Sequence, residues 1–317
     1  NQNLNINISD SIDIFLFGGI HYSKKSSKIE QIVFRYLYNR YRLKNVFYEC
    51  SYSTKYIFDE ITKRSNYLNK NIKKIIRKNY NSLNFLFDNK KEIINGQIQI
   101  IPVDIEGALY LSISAIYDII KKEPNFNIEV INKYKWLTEN KFENREISPY
   151  LSSIVSDSVY FNKINNNYLS LIIDDLNHSN KFYSLINENN INKAYNWREL
   201  YITQNIIKNY NGDSKYFGAF GLAHISFEKE EVIGFQPLVQ RLIKANISFN
   251  CSTLFESSKM QEVKMQEICL APFSYPENNK LIDSLLKRTS RDEFMILSSD
   301  WGIFSSLFRH NFLFLTK

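Results

Sequence analysis

Three cysteines, four histidines, six prolines and nine glycines are all that 317 residues hold of these types. Cys50, Cys251 and Cys269 are odd in number and lack C-x-x-C spacing, which excludes a disulfide framework and a cysteine-built zinc site. So few glycines and prolines argue against an all-β protein strung on tight turns. No apolar run approaches the roughly 20 residues that a membrane-crossing helix needs. There is no Gly-rich nucleotide loop, no G-x-S-x-G elbow for a serine nucleophile and no internal repeat.

What is present is globular. Hydrophobic residues make up 44% and charged residues 23%, which excludes a disordered tail or a collagen-like fibre. Asparagine is abundant, with 38 copies. We ascribe this to an AT-rich genome and read runs such as Asn165-Asn166-Asn167 as solvated loops. The formal charge is +7, and it is concentrated. Lys63 to Lys91 holds nine Lys/Arg against one acid, Asp88. This segment reads as a solvated helix face that could also meet an anionic surface. No base-reading motif accompanies it, so no specific nucleic acid is expected. A chain opening on Asn1 is expected to have lost an upstream segment, a signal peptide, tag or domain, and its compartment stays open.

The hydrophobic pattern alternates strand with helix. Ile12 to Phe17 reads as a buried strand stopped by Gly18-Gly19. Ile29, Ile32, Val33, Tyr36 and Leu37 recur at helical spacing over 28–42, and Val46-Phe47-Tyr48 is the next strand. This is a β-α-β unit, the building block of a parallel sheet. Leu68 to Phe87 keeps helical spacing. Ile98 to Val103 is a third strand leading to Asp104. Residues 105–195 are mainly helical, a cap or insertion within a single α/β domain. Asn196 with Glu199 three residues on fits a capping box opening a helix that ends near Asn209. A strand over 215–220, a helix near 229–245 and strands near 247–250, 263–269 and 294–299 follow. The expected fold is α/β, a mostly parallel sheet flanked by helices.

Chemistry is expected at the carboxyl ends of such strands. His21 lies just past the first strand, Glu49 ends the second, Asp104 ends the third and His224 follows a later one. An imidazole takes a proton from water near neutral pH. A carboxylate fixes its tautomer, and a second imidazole or a guanidinium steadies a developing oxyanion. Imidazoles and carboxylates are also ordinary ligands of divalent metals. Each residue also has a structural role open to it. Glu49 could cap the helix near Ser51 or Ser53, Asp104 the helix near Ile105, and Arg198 could simply pair with an acid. Cys50 reads as a buried thiol, and His178 and His310 are left out of the site.

Four stretches are similar to one known family: Phe17-Gly18-Gly19-Ile20-His21, Val46-Phe47-Tyr48-Glu49, Trp197-Arg198-Glu199-Leu200 with Asn205 following, and Gly218 to His224. In order and spacing they resemble the erythromycin esterase-like proteins, within a superfamily shared with TIKI/TraB proteins and ChaN-type haem-binding lipoproteins. A weaker echo continues through Ala271-Pro272 and the Leu281 to Leu286 helix. The chain departs from the esterase-like pattern. Gly18 and Gly19 stand where those members carry a glutamate, and Lys28 and Glu30 where they carry an arginine. Its G-x-x-H form is nearer the TIKI/TraB pattern.

The resemblance implies hydrolysis of an ester or lactone in a cleft at the strand ends. His21 would be the general base and Glu49 its orienting acid. His224 and Arg198 would bind substrate or the tetrahedral intermediate, with Asp104 and Asn205 supporting them. A small-molecule or peptide substrate is implied, and no cofactor. The alternatives are a TIKI-like metal-dependent hydrolase or protease, with His21, Glu49 and His224 as ligands, and a non-catalytic binding module on the same fold.

Overall fold

The computed structural model describes residues 12–19, 24–63, 72, 80–225, 230, 234–256, 295–298 and 312–316. His21, His310, Cys269, most of the basic 63–91 stretch, the strand expected at 263–269 and the 271–286 segment lie outside the described residues. Strands are β1 (Ile14–Gly19), β2 (Asn45–Tyr48), β3 (Gln99–Pro102), β4 (Tyr216–Gly221), β5 (Phe249–Glu256), β6 (Met295–Ser298) and β7 (Phe312–Thr316). Helices are α1 (Lys24–Tyr41), α2 (Tyr52–Lys63), α3 (Tyr80–Asp88), α4 (Lys90–Ile94), α5 (Leu109–Ile120) and α6 (Ile128–Asn140). They continue with α7 (Asn144–Ile147), α8 (Leu151–Ser156), α9 (Ser158–Phe161), α10 (Asn167–Asn187), α11 (Ile191–Asn209) and α12 (Leu238–Lys244). The fold is α/β, with a mostly parallel sheet, and the chain forms two compact units, 1–47 with 209–317, and 48–208.

In the first unit the strand order is β2-β4-β1-β5-β7-β6. β1 pairs in parallel with β4, Ile14 opposite Tyr216, and with β5, Ile14 opposite Phe249. β5 pairs in parallel with β7, and β6 closes the edge antiparallel to β7, Met295 opposite Leu315. β1 and β4 are buried along their whole length. That is why they are written as apolar runs rather than alternating patterns: a parallel strand is covered on both faces. Phe34 on α1 packs against Phe217 on β4 at 5.4 Å between ring centroids, and Phe15 stacks on the same ring at 6.2 Å.

Gly18 and Gly19 do not stop the strand, as expected from sequence, but complete β1. Neither has a positive φ, so no turn is being made. Their role is proximity. A Cβ on Gly18 would collide with the side chain of Ile225, and one on Gly19 would stand 2.6 Å from Ser26 Oγ. Bare backbone lets the 222–225 turn and the start of α1 close onto the strand. The helix expected near 229–245 is described as α12 over 238–244, and the strand expected near 247–250 extends to Glu256.

The second unit is helical around α5. Eleven of the twelve residues of α5 are buried, so the helix is covered on nearly every side, with Ser112, Ser114 and Asp118 as its buried polar residues. It packs against α2, α6 and α10, and Leu109, Ile113, Ile116, Leu151, Ile172 and Leu176 among others form one continuous core. β3 runs beside the chain leaving β2: Val103 N–H donates to Tyr48 O at 3.3 Å and Asp104 N–H to Cys50 O at 3.2 Å.

Asparagine does more than solvate loops. Asn166, in the middle of the 165–167 run, caps α10, its Oδ1 accepting from the N–H groups of Tyr168 and Leu169; Asn127 does the same for α6. Asn125, Asn189 and Asn246 take left-handed backbone, with φ of 63°, 58° and 56°. These are corners where a glycine would ordinarily be placed.

The helix expected to open at Asn196 opens at Ile191. Asn196 is therefore no cap and Glu199 no capping-box partner. Glu199 lies within the helix with its side chain fully buried.

Candidate functional site

The two hydrogen bonds from Val103 and Asp104 set the end of β3 against the segment after β2, so Glu49 and Asp104 emerge side by side. α11 supplies the cation. Arg198 Nε donates to Asp104 Oδ1 at 2.9 Å, and Nη2 donates both to Asp104 Oδ2 and to Glu49 Oε1, the latter at 2.8 Å. The grip on Asp104 is two-pronged, a geometry that fits guanidinium to carboxylate and is stronger than a single bond. Asp104 Oδ1 also accepts the Ile105 N–H at 2.8 Å. The side chains of Glu49 and Asp104 are 9% and 8% exposed, and that of Arg198 is 22% exposed. Burial alone would favour a neutral guanidine. The carboxylates of Asp104, Glu49 and Glu199 overcome it and hold Arg198 charged.

The capping roles open to the two acids are not the ones found. Ser51 Oγ accepts the Thr54 N–H at the start of α2, and α5 begins only at Leu109, after Ala108. Asn205, about two turns beyond Arg198 on the same helix, is buried and donates to Val103 O at 3.2 Å. It clasps the backbone that leads into Asp104. Three sequence-expected residues, Glu49, Asp104 and Arg198, thus meet, with Asn205 behind them. His224 belongs to the other unit. It sits in the short turn after β4, buried, its ring 6.1 Å from that of Phe220. The alternative metal set contains His21, which is outside the described residues. Among the described residues no group of three His, Cys, Asp or Glu is placed to hold a metal ion.

Two further acids went unread in the sequence. Glu106 is buried, and its Oε2 accepts from the hydroxyls of Ser51 at 2.8 Å, Ser112 at 2.6 Å and Ser53, while Oε1 accepts from Ala108 N–H at 2.6 Å. Asp175 on α10 accepts from Tyr52 N–H at 2.6 Å and Tyr201 Oη–H at 2.7 Å. Burial raises Glu106 above the usual carboxylate range against the pull of those bonds, and it raises Asp175 well above it, helped by Glu106 and Asp174. The available signal was the Asp104-x-Glu106 spacing facing Ser51-x-Ser53, which is weak without the fold. Cys50 lies among these acids. Burial and the charges of Asp175, Asp104 and Glu106 push its thiol up, which makes it a poor nucleophile. His178 stacks on Tyr201 at 4.0 Å and Trp197 at 5.2 Å, and burial lowers its pKa.

Glu106 gives a pH prediction. Its folded pKa lies above its unfolded value of about 4.3, so the folded state holds its proton more tightly. The stability linked to that proton is complete below about pH 4.3 and is lost as pH rises through the folded pKa. Glu106→Gln removes the titration. The variant's urea midpoint is expected to change less than wild type's between pH 4 and 7; equal slopes would refute the assignment.

No family model matches the chain, and no curated protein sequence matches it. Solved structures do. An erythromycin esterase mutant, EreC in its open conformation, is 12% identical, with 78% of this chain and 71% of that one covered at a TM-score of 0.50. A succinoglycan biosynthesis protein is 13% identical over 78% of this chain and 67% of that one, also at 0.50. The haem-binding ChaN of Campylobacter jejuni is 13% identical over 77% and 82%, at 0.33. The likeness to the first two is one of fold, and it is the fold that the four sequence stretches imply.

Proposed function

We propose that the protein is a metal-independent hydrolase of esters or lactones. The observation that carries the reading is Arg198, a charged guanidinium fixed by Glu49 and Asp104 while still partly exposed to solvent. Such a group is set in place before the reaction and needs no reorganisation when negative charge develops on a substrate oxygen. In the reading, His21 takes a proton from water as the oxygen adds to the acyl carbon, and Glu49 orients the imidazole. Arg198 stabilises the tetrahedral intermediate. Collapse breaks the acyl C–O bond, and the proton passes to the departing alcohol or to the opened lactone's hydroxyl. Glu49 Oε1 is already engaged by Arg198, which favours the metal-free form over a divalent ion on that oxygen.

The test is hydrolysis of a panel of phenyl esters, alkyl esters and macrocyclic lactones by purified protein, with and without EDTA. Turnover unchanged by the chelator is the expected result. Turnover abolished by EDTA and restored by a divalent ion would overturn the metal-free assignment, and no turnover of any ester or lactone would overturn the hydrolase reading.

A further inference from the structure

The loop from Val103 to Leu109 is pinned at almost every amide. Asp104 N–H binds Cys50 O, Ile105 N–H binds Asp104 Oδ1, and Glu106 N–H binds Ser179 Oγ. Ala108 N–H binds Glu106 Oε1, and Leu109 N–H binds Asn144 Oδ1. The exception is Gly107, whose N–H donates to no described residue. Gly107 is exposed, with open space where a Cβ would stand.

Two side-chain donors are anchored to the same loop. Asn144 Nδ2 donates to Gly107 O at 2.8 Å and to Tyr183 Oη at 2.9 Å, while its Oδ1 accepts from Leu109. The amide is fixed at both ends: reversed, it would set oxygen against the Gly107 carbonyl and NH2 against the Leu109 N–H. Tyr183 Oη is thus an acceptor toward Asn144. Its single proton is left over, and no described residue takes it. Burial and the Glu106 carboxylate push this phenol up to about 12, with Arg198 pulling the other way, so it keeps the proton at neutral pH. Arg198 is tied to the loop at Asp104 through Nε and Nη2, and among the described residues its Nη1 donates to none. Asp104 and Gly107 are three residues apart, a reach of at most about 11 Å even for extended chain.

We propose that Gly107 N–H, Tyr183 Oη–H and Arg198 Nη1 form an oxyanion site that binds the tetrahedral, singly charged acyl centre of the substrate. This rests on the hydrolase reading and adds to it the groups that face the reacting oxygen. Tyr183 touches the substrate; Asn144 is a positioning residue, turning the phenol's proton outward.

The probe is phenyl methylphosphonate, a stable monoanion shaped like the intermediate of a phenyl ester, titrated calorimetrically into the full chain. Wild type is expected to bind it, and Tyr183→Phe to bind it at least tenfold more weakly with an unchanged thermal midpoint. Asn144→Asp is expected to weaken it similarly although Tyr183 remains, because the new carboxylate accepts the phenol's proton. With phenyl acetate, Tyr183→Phe is expected to lower kcat about 100-fold while KM stays within threefold. No binding by wild type, or equal binding by wild type and Tyr183→Phe, overturns the oxyanion site. Hydrolysis that survives Tyr183→Phe overturns it too, and leaves the hydrolase reading standing. Tyr183-dependent phosphonate binding without hydrolysis of any ester keeps the site and removes the hydrolase reading.

Discussion

Arg198→Met is expected to destabilise the protein by about 3 kcal/mol, the lower end of the range for breaking a buried ion pair. The lower end applies because the guanidinium is 22% exposed, so water relieves part of the loss. Methionine fills most of the volume, and what it removes is the charge. Two carboxylates at 9% and 8% exposure would be left facing each other. Urea unfolding at pH 7 measures the deficit. A deficit under about 0.5 kcal/mol at pH 7 would mean that the pair behaves like an ordinary surface bridge. Arg198→Lys keeps the charge but not the two-pronged fit to Asp104, and should recover only part of the loss.

The largest effect on activity is expected at position 21. In the proposed reaction His21 is the group that deprotonates water, and loss of a general base costs about 100-fold or more. His21→Ala should therefore lower kcat/KM on a hydrolysed ester at least that far, with the thermal midpoint little changed. It should also remove the acidic limb of the pH-rate profile, since that limb reports the base losing its proton. A variant within tenfold of wild type, with the limb intact, would take the base role away from His21.

Much of the frame could be read from the chain. β1, α1, β2 and β3 announce themselves because buried parallel strands are apolar runs and a flanking helix carries a one-sided stripe. The ends of those elements then pointed to Glu49 and Asp104. The start of α11 was misplaced because Asn196-Trp197-Arg198-Glu199 satisfies capping spacing locally, while packing carries the helix a turn further back, burying Ala194. β7 was not anticipated; its pairing with β5 and β6 is made entirely by distant partners. Arg198 and Asp104 are 94 residues apart, and nothing in either segment states that they meet. Glu106 and Asp175 were passed over for the same reason. An acid read from its neighbours alone looks solvated until the fold surrounds it with donors from distant segments, as Ser51 and Ser53 do for Glu106 and Tyr52 and Tyr201 for Asp175.

The asparagine corners have a consequence for the unfolded chain. A glycine at Asn125, Asn189 or Asn246 would roam far more of backbone space before folding, and would surrender more entropy on being fixed. Asparagine tolerates the same left-handed geometry with a narrower starting ensemble. Scarce glycine is thus no sign of missing sharp bends here; it describes a polypeptide whose bends are partly rehearsed in the denatured state.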